Sequence, residues 1–152
     1  MLAPAPGPTR SRPVVVLDTN VVLDWLLFRD PSSTPLARAI LGRQLRWVAT
    51  APMRGELAEV LRRGLAAARR VDSADVLGQW DAHAELRSEP PRLPAAMLPP
   101  CTDVDDQKFL DLAHASGACW LLSRDKALLR LARRAAGLGL VISTPERWSC
   151  AA

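Results

Sequence analysis

The chain has 152 residues, 49% of them apolar and 24% charged, which is about one soluble domain around a single core and excludes a largely disordered protein. No apolar run approaches the roughly 20 residues of a membrane span, and MLAPAPGPTRSR has no apolar centre to act as a secretory signal, so the expected compartment is the cytoplasm. The formal charge is +4, and all but Lys108 and Lys126 of the 20 basic residues are arginines, a bias that suits phosphate binding and equally suits a GC-rich genome.

Residues 1–12, rich in Pro, Gly, Ser and Arg, are expected to form a flexible tail, with one domain over residues 13–150. Pro13 then opens a strand, VVVL, that stops abruptly at Asp18. From Thr19 the spacing of Val22, Leu23, Leu26 and Leu27 is helical. SSTPLARAILGR predicts a helix with Ser33 or Thr34 as cap, Pro35 in its first turn and Gly42 at its end. LRWVAT predicts a second strand, and Pro52 opens a helix that Gly64 is placed to interrupt. VDSADVLGQWDAHAELRSE predicts one amphipathic helix capped by Asp72 or Ser73. PPRLPAAMLPP cannot be helical and is expected to be a connector with a short third strand near residues 96–98.

The last third predicts an acidic turn (TDVDD), a helix (QKFLDLAHAS) ended by Gly117, a strand (ACWLLS), a helix begun by Asp125 (KALLRLARRAAG), a strand (LVI) and a small helix capped by Thr144. Cys101, Cys119 and Cys150 are odd in number and widely spaced, which fits neither a zinc site nor a disulfide framework, and Cys119 is expected to be buried. Strands alternating with helices imply an α/β fold with a mostly parallel sheet and helices on both faces.

In such sheets ligands bind outside the carboxyl ends of the strands. Asp18 follows the first strand, Asp125 follows the WLLS strand, TDVDD precedes the helix leading into that strand, and Glu56 lies one turn into the helix after the second strand. Carboxylates gathered this way repel one another unless a cation compensates. Mg²⁺ or Mn²⁺ suits an all-oxygen site, lowers the pKa of water and stabilises charge developing on a phosphate.

These residues resemble the PIN-domain nucleases, specifically the branch of toxin components of type II toxin-antitoxin systems, over residues 14–148. VVLDTNVVLDWLLF is similar to the family's opening motif and carries its first acid onto Asp18; APMRGELAEVLRR carries the second onto Glu56; DVDDQKFLDLAHASGACWLLSRDKALL is similar to the third and fourth motifs. In the third motif Asp103, Asp105 and Asp106 compete. Helix register counted back from Gly117 favours Asp106, with Asp105 in reserve; a shift of one would instead bring Gln107 to this place. Asp125 is the fourth acid.

The resemblance implies a PIN-like three-layer α/β/α fold with a twisted sheet of about four or five short strands. It also implies a ribonuclease dependent on Mg²⁺ or Mn²⁺ held by Asp18, Glu56, Asp106 and Asp125, a small antitoxin partner that inserts near the acids, and a homodimer.

Around that set, Asn20 is a candidate to orient Asp18, and the Ser123 hydroxyl is placed to point into the site. Glu59 is either site rim or solvated surface. Arg62, Arg63, Arg130 and Arg133 are candidates for the RNA backbone, against the simpler reading of a solvated helix face. The five tryptophans are expected in the core rather than stacking bases, Trp120 above all. The competing function is a binding module of the same fold with little turnover. A haloacid-dehalogenase-type phosphatase would need a second Asp where Asn20 stands, and a receiver domain would need a lysine after a late strand at a place Lys126 does not occupy.

Overall fold

The computed structural model describes residues 12–148, so the expected tail, apart from Arg12, and Cys150 lie outside the described residues. Five short strands make one all-parallel sheet: β1 (Val14–Leu17), β2 (Arg46–Thr50), β3 (Glu85–Arg87), β4 (Trp120–Leu122) and β5 (Val141–Ser143), in the order β3-β2-β1-β4-β5. The middle strand is the VVVL run. Val15 and Val16 are fully buried there, the burial that continuous β-branched strands of parallel sheets require.

The helices are α1 (Thr19–Leu26), α2 (Thr34–Leu41), α3 (Ala51–Val60), α4 (Ala66–Ala68), α5 (Ser73–His83), α6 (Gln107–Ala115), α7 (Lys126–Leu129) and α8 (Ala132–Ala136). Helix α6 packs on β1 and β4 through Phe109, Leu110, Leu112 and Ala113, all buried. Gly117 follows it with φ 66°, a left-handed turn that glycine adopts without penalty and that starts the return to β4. No helix is long and apolar enough to cross a membrane among the described residues.

The chain builds outward from β1 to β2 and β3 on one side, then crosses to β4 and β5 on the other. The β1/β4 boundary is therefore where the winding reverses, the place at the carboxyl ends of the strands where open α/β sheets form their ligand crevice. Leu17 pairs with Leu122, and the Asp18 N–H donates to the Leu122 carbonyl at 3.0 Å, so both chains leave the sheet side by side.

Several local expectations are corrected. The helix expected through Glu89 stops at Ala84, which turns extended (φ −84°, ψ 138°), and Glu85–Arg87 becomes edge strand β3. The Arg46 guanidinium grips Glu85 with two bonds of 2.9 and 2.7 Å, fixing β3 against β2; Leu86 stays exposed, so no apolar alternation marked the strand. The strand expected at residues 96–98 is a turn closed by Met97 N–H on the Pro94 carbonyl at 2.9 Å. The last long helix is two pieces, α7 and α8. Gly64 does interrupt the helix after β2, in a π turn (Leu61–Leu65) with φ 95°. Cys119 is exposed while Cys101 is buried. Trp120 is only half-buried and packs edge-on against Trp148 at 5.7 Å, whereas Trp47 fills the core between Trp25 and Trp80.

Candidate metal centre

Asp18 sits at the N-terminal boundary of α1 but makes no capping bond to it. Its carboxylate instead accepts the Ser123 hydroxyl at 2.6 Å, and the Ser123 oxygen in turn accepts the Asp125 N–H at 2.9 Å. Ser123 is completely buried, so one hydroxyl joins the ends of β1 and β4 and sets two acids relative to each other. Asp125 also caps α7, accepting the Ala127 N–H at 2.8 Å, so the capping alternative and a place in the crevice coexist at this residue.

The acidic turn supplies the rest. Asp103 caps a 3₁₀ turn (Val104–Asp106) through the Asp105 N–H, and Asp106 follows as the residue that starts α6. Carboxylate oxygens of Asp103, Asp106 and Asp125 all lie within 4.8 Å of one another. Asp106 is buried, and no hydrogen-bond donor among the described residues reaches its Oδ2. A buried oxygen without a donor is costly for a neutral interior, and it is the kind of vacancy in bonding that a hard cation fits.

The electrostatics agree. Asp106 is pushed from 3.8 up to about 8, first by burial, then by hydrogen bonding with Asp125 and by repulsion from Asp18, Asp125 and Asp103. Asp18 is also raised, chiefly by burial with repulsion from Glu56 and Asp125, while the Ser123 hydroxyl and the Thr19 backbone oppose the rise. Charge packed this tightly can be relieved by protons or by a divalent ion. An all-carboxylate donor set favours Mg²⁺ or Mn²⁺ over softer metals.

Asp18, Asp106 and Asp125 thus come together, joined by Asp103. Glu56 borders Asp18 but stands outside the tight group: Thr19 Oγ1 donates to Oε2, and Lys108 Nζ donates to Oε1 at 2.6 Å. Thr19 and Lys108 were not among the expected site residues, and Asp103 was one of three competitors for the third acid that the helix register passed over for Asp106. Lys108 had a signal in the sequence, as one of two lysines in an arginine-rich chain lying two residues after an acid.

Other expectations part from the structure. Asn20 is exposed and makes no side-chain bond among the described residues, because the first helical turn carries it outward; Ser123 orients Asp18 instead. Asp105 is exposed and outside the carboxylate group. Gln107 is buried facing the connector, accepting the Cys101 N–H at 2.7 Å and donating to Asp111 at 2.9 Å. Arg62 and Arg63 are exposed on the π turn beside Glu59, with Arg62 paired to it at 3.2 Å. Glu59 is thus a surface acid. Arg130 and Arg133 are exposed and make no ion pair among the described residues. Arg124 is a structural tie, bonded to Asp24, Ser32 and Glu146.

Comparison with known proteins fits this geometry. VapBC2 from Rickettsia felis, in a crystal structure with a DNA fragment from their promoter, superposes with a TM-score of 0.59 at 13% identity over 86% of this chain and 98% of that one. PAE2754 from Pyrobaculum aerophilum superposes with a TM-score of 0.54 at 16% identity, covering 92% of each chain. No curated protein matches the sequence. The family described as PIN domain matches residues 14–127, three quarters of the chain, including Asp18, Glu56, Asp103, Asp106 and Asp125, and the protein belongs to that family.

Proposed function

We propose that the protein is a divalent-metal-dependent ribonuclease that hydrolyses RNA phosphodiester bonds, with Asp18, Asp103, Asp106 and Asp125 as its metal-binding acids and Glu56 at the edge of the site. The observation that carries this reading is the buried, donor-free Oδ2 of Asp106 among the carboxylates of Asp103 and Asp125 at the winding reversal of the sheet. A bound Mg²⁺ or Mn²⁺ supplies positive charge against the phosphate and lowers the pKa of water. The protein's own groups prepare the place. Ser123 fixes the Asp18 carboxylate and the Asp125 backbone, the 3₁₀ turn leading directly into the packed helix α6 holds Asp106, and Thr19 holds Glu56.

The family and the likeness to VapBC2 support a toxin role, with a small antitoxin seated near the acids. Arg130 and Arg133, exposed after the helix that Asp125 begins, are the arginines best placed for the RNA backbone. The competing binding-module reading leaned on Gln107 in the third motif. That side chain is engaged with Cys101 and Asp111, so it takes nothing from the acid group.

The test is cleavage of RNA with Mg²⁺ or Mn²⁺, with EDTA, and with Asp18→Asn. The reading expects cleavage only with metal and a loss of about a hundredfold or more in the variant. Cleavage that survives EDTA and is unchanged by the substitution would refute it.

A further inference from the structure

The acidic crevice contains a cation that belongs to the chain. Lys108 reaches from the first turn of α6 to Glu56 Oε1 at 2.6 Å, and its ammonium also bonds the Asp105 carbonyl and lies 4.9 Å from the Phe109 ring centre. The Thr19 hydroxyl takes the other Glu56 oxygen. Each Glu56 oxygen therefore has a side-chain donor, in contrast to Asp106, whose Oδ2 has no donor among the described residues. Both Lys108 and Glu56 are about a quarter to a third exposed, with side-chain values of 27% and 32%, so the pair is shielded but open to an incoming ion.

Glu56 and Asp18 are near enough to repel one another, and together with the Thr19 hydroxyl they form a second set of hard oxygen donors beside the first. Mg²⁺ and Mn²⁺ sites are commonly completed by one or two carboxylates and several waters, so this set has the donor chemistry for a second ion. A metal ion must come to roughly 2.0–2.2 Å of its oxygen ligand. An ammonium already bonded to the same oxygen would stand within a few ångströms of such an ion, and like charges at that separation repel.

Resting on the metal reading above, we propose that the Lys108 ammonium occupies the position of a second metal ion beside Glu56, so that the centre takes one divalent ion rather than two. Glu56 is then a partner of Lys108 and borders the resident ion without needing to bind it. The lysine opposes carboxylate charge at the side of the crevice that the single ion does not reach, and makes Lys108 a positioning residue.

The test counts ions on the full-length chain, by Mn²⁺ titration followed by electron paramagnetic resonance of the free ion, with no activity measurement. One Mn²⁺ per chain is expected for the unaltered protein. Lys108→Met and Lys108→Gln should each take a second, Lys108→Arg should retain one because it keeps the charge, and Lys108→Met combined with Glu56→Gln should return to one. Circular dichroism verifies that each variant is folded, and the arginine variant separates loss of charge from loss of structure. Two ions in the unaltered protein, one ion in both neutral variants, or a second ion that persists without the Glu56 carboxylate would overturn the assignment. No bound Mn²⁺ at all would overturn the metal reading itself and this assignment with it.

Discussion

Asp106 carries the strongest electrostatic tension in the molecule, and that tension predicts how the metal-free protein responds to pH. Its carboxyl keeps a proton up to about pH 8 in the fold but only to about 3.8 when unfolded. Between those values the folded state binds more protons than the unfolded state, so stability is greatest at the acidic end and is lost as pH rises toward 8. Asp18, raised for the same chief reason, adds to the same slope. Urea unfolding in EDTA across this range should show the fall, and Asp106→Asn should flatten it. With saturating Mn²⁺ the fall should shrink or reverse, since the ion binds the ionised carboxylates. Ser123 makes a second prediction at this scale. Removing its hydroxyl leaves a buried Asp18 without its donor and frees the Asp125 backbone. Ser123→Ala should cost about 1–2 kcal/mol in unfolding and weaken Mn²⁺ binding about 10–100-fold by calorimetry.

At the scale of elements, the helix that follows Asp106 depends on how it ends. A Cβ at Gly117 would meet no neighbour within 4 Å, so its requirement is conformational: φ is 66°, where other residues are strained. Gly117→Ala should therefore destabilise by about 1 kcal/mol in denaturant unfolding, with Mn²⁺ affinity nearly unchanged. Leu121 is fully buried in β4 between β1 and β5, and Leu121→Ala should cost about 2–5 kcal/mol by the same measurement.

These elements also mark the limits of reading the sequence. VVVL was legible because a strand buried on both faces must be apolar throughout, RWVAT and WLL because short apolar runs stand between helical stretches, and α6 because Phe109 and Ala113 share its core face. Strand β3 was not, since its pairing depends on Arg46 reaching Glu85 from a strand far away in sequence, and its one large apolar residue faces solvent. The site divides in the same way. Asp18, Asp106 and Asp125 could be placed because each closes a strand or opens a helix. Asp103, Thr19 and Lys108 enter through a capping turn and two side-chain bonds across long separations, which spacing alone does not encode.

For the whole molecule, the order β3-β2-β1-β4-β5 accounts for why acids so distant along the chain meet at one crevice. On the proposed reading the ion binds the folded protein, and the unfolded chain holds no such arrangement, so metal should stabilise the entire domain. Mn²⁺ at a hundredfold excess over its Kd should add about 2.7 kcal/mol, raising Tm by roughly 5–10 °C for a chain of this size. Asp106→Asn should lose most of that gain in a thermal melt. The most direct measurement is anomalous diffraction from crystals grown with Mn²⁺. The account predicts one peak in the crevice between β1 and β4, in contact with Asp106 Oδ2 and the Asp125 carboxylate. Crystals in saturating Mn²⁺ with no peak among Asp18, Asp103, Asp106 and Asp125 would contradict it.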